Sequence, residues 1–204
     1  MNGYTIDWKG TDMSEYIMAE QNDRIIPEED VIFGISSRAN KMIKERGAEN
    51  VVNATIGMLL DDDGKLMVMS AVAATYRTLE PTDYAQYAPI GGTPGYKKAV
   101  KRAVFKNYTP QRDVRVVATP GGTGSLRCAV ANYSKREDSI LTSDWHWSPY
   151  NSIASEGGRK VATFNLFNEE GAFDIKSFRE SVEALLETQD SLLIILNTPA
   201  HNPT

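Results

Sequence analysis

Four short apolar runs, "VRVVAT", "SILTS", "KVATFNL" and "SLLIIL", punctuate the chain from Val114 onward, and segments of helical pattern lie between them. Those segments are Ser125 to Tyr133, Pro149 to Glu156 and Ile175 to Glu187. Strands that alternate with helices leave few architectures open. Each strand is reached by a crossover, so the strands run parallel and helices cover both faces of the sheet. No internal repeat or low-complexity segment offers another solution. In such sheets ligands bind beyond the carboxyl ends of the strands, where loops carry chemistry on a rigid base.

Upstream of Val114 the pattern is less regular. The first 30 residues are polar and aromatic with little periodicity, and read as an arm that needs another surface to lie on. Pro27 to Asp30 predicts the acidic first turn of a helix with an apolar stripe of Val31, Ile35, Ala39, Met42 and Ile43, ending at Gly47. "VVNATIG" (Val51 to Gly57) predicts a strand, "DDDGK" (Asp61 to Lys65) a turn, and Met67 to Leu79 a helix. "YAPIGGTPGY" (Tyr87 to Tyr96) is loop chemistry, followed by a basic amphipathic helix to Phe105.

Composition narrows the partners. At 204 residues, 41% hydrophobic and 24% charged, the chain is globular and holds one ample domain or parts of two. Its net charge of −5 is spread along the sequence and gives no basis for nucleic acid or an anionic membrane as main partner. Cys128 is the single cysteine, which excludes an internal disulfide and suits a reducing compartment. No basic start precedes an apolar core at the N-terminus, and no apolar run approaches the roughly 20 residues that span a bilayer. The reading is a soluble, cytoplasmic protein.

The four carboxyl ends of the predicted strands read "TPGGTGSLR", "SDWHWSPY", "NLFNEEG" and "NTPAHNPT". The first places glycines between a strand and a helix, where backbone can approach a ligand and the first helical amides are free donors at a positive helix end. A phosphate fits that chemistry. The stretch lacks the Gly-Lys-Ser/Thr of a P-loop and the third glycine of a dinucleotide fingerprint, and a tight turn that binds nothing is the plainer alternative. The second tip offers an aromatic face for a planar ring, against the alternative of ordinary packing over the sheet edge. Two histidines without ligand spacing give no metal site, His146 included. The last tip offers Asn197, His201 and Asn202; an amide there holds a phenolic or carbonyl oxygen, unless Asn before Pro is only a turn residue.

Taken together, "NATIGMLLDDDGK", "YAPIGGTPGYKKAV", "GGTGSLR", "SDWHWSPY" and "AHNPT", in this order, resemble the pyridoxal-phosphate-dependent class I/II aminotransferases of fold type I, in the aspartate and aromatic branch. The resemblance runs from Val51 to the end. It implies an α/β fold: a three-layer α/β/α large domain with a mainly parallel sheet, plus the N-terminal part of a small α/β domain. The division it implies is an arm at 1–30, the small-domain part at 31–66 and the first part of the large domain at 67–204. The family motif continues with a glycine after Thr204, so the chain reads as cut inside a motif.

The resemblance also implies roles. Gly122 and Thr123 fall on the phosphate cup, and Gly121 stands where the aspartate branch usually has serine, so one hydroxyl donor is missing. Trp145 falls on the ring that stacks over the pyridine and borders the substrate. His146-Trp147-Ser148 replaces the family's "GNH". Asn202 falls on the donor to the cofactor's phenolic oxygen. Tyr87 matches the tyrosine that reaches the cofactor phosphate of a partner subunit, and Gly57 a backbone contact to the substrate carboxylate. Arg127 reads as structural, on a helix face. The Schiff-base lysine is expected beyond Thr204; Lys97 and Lys160 sit at no matching motif. The implied protein is a homodimer with shared active sites that moves an amino group between an amino acid and a 2-oxo acid, and the 204 residues alone are expected to be inactive. A carbon–sulfur β-lyase or decarboxylase on the same fold is the nearer alternative. A non-catalytic regulator built on an aminotransferase-like domain is the distant one.

Overall fold

The computed structural model describes residues 31–204 apart from Ile56, and side chains from residue 34 onward. The arm at 1–30 and the acidic turn Pro27 to Asp30 lie outside the described residues. Those residues form two compact units, 31–116 and Val117–Thr204. No helix among them is long and apolar enough to cross a membrane.

In the first unit, α1 spans Val31–Arg46 and ends where the Gly47 amide donates to the Ile43 carbonyl at 2.9 Å. Its expected stripe is only partly covered: Ala39 and Ile43 are half-buried, whereas Ile35 and Met42 remain exposed. The strand expected at Val51 to Gly57 does not form among the described residues. Asn53 Oδ1 instead accepts from the Thr55 amide (3.2 Å) and hydroxyl (2.7 Å), a local turn that competes with extended pairing. The Asp61 to Lys65 turn does form. Asp61 Oδ1 accepts from the amides of Asp63 and Lys65, and an antiparallel bridge joins Leu60 to Leu66. That hairpin also uses the Met67 amide, which donates to Leu59, so α2 is shorter than expected at Ser70–Arg77. A short helix not anticipated, α3 (Pro81–Ala85), starts at a capping box of Glu80 and Asp83 with proline in its first turn. Thr93 caps α4, Pro94–Phe105.

The second unit holds the sheet. Strands β1 (Ser139–Ser143) and β2 (Lys160–Phe164) pair in parallel, with Ser139 opposite Lys160. A third line, residues 192–196, flanks β1 on its other side: the Leu141 amide donates to Leu193 and the Ile195 amide to Leu141. Strand β1 is therefore central and buried on both faces, with Ile140 at 2% and Leu141 at 0% exposure. Helices α5 (Gly121–Tyr133) and α6 (Pro149–Glu156) supply Val130, Ile153 and Ala154 to a core around Ile140. Helix α7 (Ile175–Leu186) packs Phe178 edge-on to Phe164. Val161, packed on the Ile140 core, and Phe164 point to opposite faces of β2, so helices cover both sides.

Two expected strands differ. Residues 114–118 alternate in exposure as a strand does, yet no ladder reaches 114–119 among the described residues. The 192–196 line is half-buried rather than buried, because it has a strand on one side only.

Candidate active site

The glycine-rich tip is the first turn of α5 rather than a loop ahead of it. Pro120 makes an inverse γ-turn that lets the Gly121 amide donate to Thr119 at 2.8 Å. Gly121 then adopts φ 67, in the left-handed region that disfavours a serine. Thr119 Oγ1 donates to the Gly121 carbonyl (3.0 Å), so at its 2.7 Å contact with Ser125 Oγ it accepts. The first helical bond comes from the Gly124 amide, and a Cβ there would lie 2.8 Å from the Pro120 ring. The amides of Gly122 and Thr123 have no partner among the described residues. Gly121, Gly122 and Thr123 are exposed, and a Cβ at Gly121 or Gly122 would meet nothing within 4 Å among the described residues, so the turn at the positive end of the helix has room beside it. Arg127, one turn on, ion-pairs with Glu156 of α6.

The tip after β1 is closed by contrast. The Asp144 amide donates to Phe164 at the end of β2, while its Oδ1 accepts from Trp145 N and Leu166 N, each at 2.9 Å. The Trp145 indole is 53% exposed and stands edge-on to Phe167 at 6.4 Å. Trp147 turns the other way, onto the Ile140 core and edge-on to Tyr150 at 5.7 Å. Burial pushes the Tyr150 phenol above its ordinary value.

At the terminal tip, the Asn197 amide, in the orientation that satisfies both its atoms, donates to Ala200 O (3.0 Å) and accepts from Asn202 N (3.3 Å). The peptide bonds Thr198–Pro199 and Asn202–Pro203 are cis. The Asn202 side chain is exposed. A cleft of about 330 Å³ opens beside this tip, with Ser143, Phe167, Phe173, Leu196, Asn197 and His201 among its walls. No three His, Cys, Asp or Glu gather into a metal-binding group among the described residues.

Comparison with known proteins fits this arrangement to a family. Residues 49–204 match the family Aminotransferase class I and II. The chain belongs to this family. The tyrosine aminotransferase of Klebsiella pneumoniae is 32% identical over 79% of this chain and 42% of its own length. The mitochondrial aspartate aminotransferase of Schizosaccharomyces pombe is 31% identical over 86% of this chain and 40% of its own. A crystal structure of an aminotransferase from Anaerococcus prevotii superposes with a TM-score of 0.87 at 34% identity, covering 92% of this chain and 46% of that one. The chain thus spans less than half the length of these relatives, and its α/β fold is the aminotransferase fold.

Within this aminotransferase chain, Gly121, Gly122 and Thr123 sit in the first turn of α5, Trp145 in the loop after β1 and Asn202 beyond the 192–196 line, all in the second unit. Tyr87 and Gly57 belong to the first unit; Tyr87 is fully exposed, and nothing lies within 4 Å of a Cβ at Gly57. Sequence reasoning missed Asp144, whose carboxylate fixes the start of the Trp145 tip, and Phe167, which lines the cleft from the "NLFNEEG" stretch, to which no role was assigned. An Asp directly after a strand was the one available signal for the former.

Proposed function

We propose that the protein bearing this chain transfers an amino group between an amino acid and a 2-oxo acid, using pyridoxal 5'-phosphate held at Gly121, Gly122, Thr123, Trp145 and Asn202. The observation that carries the reading is the exposed first turn of α5, with two amides that have no partner among the described residues. That donor set fits a phosphate, since each charge-assisted hydrogen bond is worth roughly 1.5–3 kcal/mol. The half-exposed indole of Trp145 offers a face to a planar ring, and the exposed Asn202 amide is a donor for a phenolic oxygen.

Bound pyridoxal phosphate supplies an electron sink for the carbon that loses its proton. This chain's residues place and shield it. Gly122 and Thr123 hold the phosphate, Trp145 fixes the plane of the ring and keeps water from it, and Asn202 sets the charge on the ring oxygen. Gly57 is assigned to the substrate carboxylate. Tyr87 is assigned to the phosphate of a second subunit, in a homodimer with shared sites. Exposed Leu59, Met69, Tyr76, Tyr87 and Ile90 in the first unit support such pairing. The lysine that carries the cofactor lies, in this reading, outside the 204 residues, which do not turn over alone. Relatives named for tyrosine, aromatic amino acids and aspartate point to aromatic or acidic amino donors. Their names favour amino-group transfer over β-elimination, decarboxylation or a regulator. A cytoplasmic location goes with the single free cysteine.

The test is direct. The full-length protein is titrated with pyridoxal phosphate by absorbance, then assayed with tyrosine or aspartate plus 2-oxoglutarate. Cofactor binding and formation of the matching 2-oxo acid are expected, with no product from residues 1–204 alone. Failure of the full-length protein to bind pyridoxal phosphate would sink the proposal.

A further inference from the structure

We infer that His146 is a positioning residue: in one neutral tautomer it ties the end of β1 to the first turn of α6 and so fixes the loop that presents Trp145. Its relevance to the cofactor rests on the reading of Trp145 above; the geometry stands apart from it. His146 Nδ1 lies 2.8 Å from the Ser143 carbonyl and 3.2 Å from the Asp144 carbonyl. Both partners only accept, so Nδ1 carries the hydrogen. Nε2 lies 3.2 Å from Asn151 Nδ2, which also reaches the Ser148 carbonyl at 3.2 Å. The amide nitrogen has two hydrogens, one for each acceptor, so Nε2 presents its lone pair.

The alternatives fit worse. The opposite tautomer leaves two carbonyls without their donor and sets an Nε2 hydrogen against the Asn151 amide hydrogens. The imidazolium makes the second of these clashes too. The imidazole also stacks on Tyr150, with centroids 6.1 Å apart and planes 8° apart, and Tyr150 is itself buried beside Trp147. Trp145 sits in the middle of this arrangement. Its amide is held by Asp144 Oδ1, its carbonyl accepts from Ser143 Oγ at 2.5 Å, and the residue after it is pinned by both ring nitrogens. Its backbone has both polar groups engaged, which leaves the indole torsions as its freedom. Holding a ring by fixing the backbone beneath it is how a supporting residue pre-organises a site.

The experiment uses the full-length protein with ¹⁵N-histidine and 5-fluorotryptophan, without cofactor, in wild type, His146→Ala and His146→Asn. Asparagine places its side-chain nitrogen near the position of imidazole Nδ1 and so keeps the donor to Ser143 and Asp144. We expect an unprotonated Nε2 for His146 in wild type. The Trp145 fluorine resonance should shift in His146→Ala and return toward wild type in His146→Asn. Pyridoxal phosphate should then bind about 2- to 10-fold more weakly to His146→Ala, the range of one lost aromatic contact, with partial recovery in the asparagine variant.

An Nε2–H tautomer in wild type overturns the inference, as does a Trp145 resonance indifferent to His146→Ala. It also fails if Trp145→Ala weakens cofactor binding and His146→Ala does not. If Trp145→Ala itself leaves binding unchanged, the cofactor role of Trp145 is what fails, and the tautomer and resonance still decide the inference about His146. Should His146→Ala not fold, the wild-type tautomer and the asparagine variant carry the decision.

Discussion

The first turn of α5 and the loop after β1 treat their polar groups in opposite ways. At Gly122 and Thr123 the amides have no partner among the described residues, and both residues are exposed. At Asp144, Trp145 and His146 the amides of Asp144 and Trp145 and the His146 Nδ1 each find an acceptor in the loop or at the ends of β1 and β2, and His146 Nε2 accepts from Asn151 of α6. An unpaired donor kept at a helix start is a place prepared for an outside acceptor, whereas a paired one is scaffold. The difference predicts that changes at the open turn alter binding at little cost in stability, and that changes at the closed loop alter stability first.

The sharpest way to break that contrast lies within the open turn. In Gly122→Ala the new methyl meets nothing within 4 Å among the described residues, and losing glycine's freedom in the unfolded chain favours folding by about 0.4–1 kcal/mol. The same methyl takes up room in a turn whose Gly122 and Thr123 amides have no partner among the described residues. Pyridoxal phosphate should bind at least about tenfold more weakly, the loss of one charge-assisted bond, while Tm holds or rises. Gly124→Ala should do the reverse. Its Cβ falls 2.8 Å from the Pro120 ring, and relieving that overlap costs about 1–3 kcal/mol of stability. Calorimetry beside a cofactor titration separates the two; equal behaviour of both variants would dissolve the distinction.

For the closed loop the expected effect is somewhat smaller. Asp144→Ala removes the acceptor of two amides, and because the residue is exposed, water replaces part of what is lost. A loss of about 1–2 kcal/mol is expected by chemical denaturation. Asp144→Asn keeps an oxygen in place and should lose less than half as much. If the two variants are equally destabilised, the carboxylate's charge matters and the acceptor geometry does not.

These contrasts also explain what the sequence made visible. β1 and α6 were legible to the residue, because "SILTS" is an apolar run bounded by polar residues and Pro149 marks a helix start. The start of α5 was placed at Ser125 because glycines read as loop. A first turn tolerates them, since its amides lack helical partners in any case. α3 was overlooked although Glu80, Pro81 and Asp83 spell its cap. Val51 to Gly57 looked like a strand by composition, but Asn53 bonds to its own neighbour, a choice that periodicity does not encode. At the candidate site, residue type alone points to the glycine turn. The roles of Asp144 and His146 depend on which carbonyls and amides an irregular loop brings within reach, and that is decided only when β1, β2 and α6 are packed.

The smallest effect concerns two contacts near the start of β1, one charged and one not. Lys135 Nζ and Asp190 Oδ2 are 2.6 Å apart, and both side chains are well exposed. The hydrogen bond and charge of Lys135 hold the Asp190 carboxyl below its ordinary value, and Asp190 in turn holds the Lys135 ammonium above its own. For the carboxylate, the folded state binds its proton less readily than the unfolded chain. Its contribution is therefore present above the ordinary carboxylate range and is lost as pH falls through the lowered folded value. For the lysine the contribution is present below its ordinary value and is lost as pH rises through the raised one. Burial raises Tyr150 as well, so the alkaline side mixes two groups and the acid side is the cleaner test. Beside this pair, Gln189 donates to the Ser139 and Ser191 carbonyls and accepts from the Ser139 amide, contacts with no charge to titrate. Asp190→Asn should lower Tm only slightly at neutral pH and less still in high salt, since exposed pairs are screened. The gap between wild type and variant should close as pH drops into the acid range. Gln189→Ala should lower Tm by a margin that neither salt nor acid changes. A wild-type gap to Asp190→Asn that persists in acid would assign the Asp190 effect to geometry, as at Gln189, and not to charge.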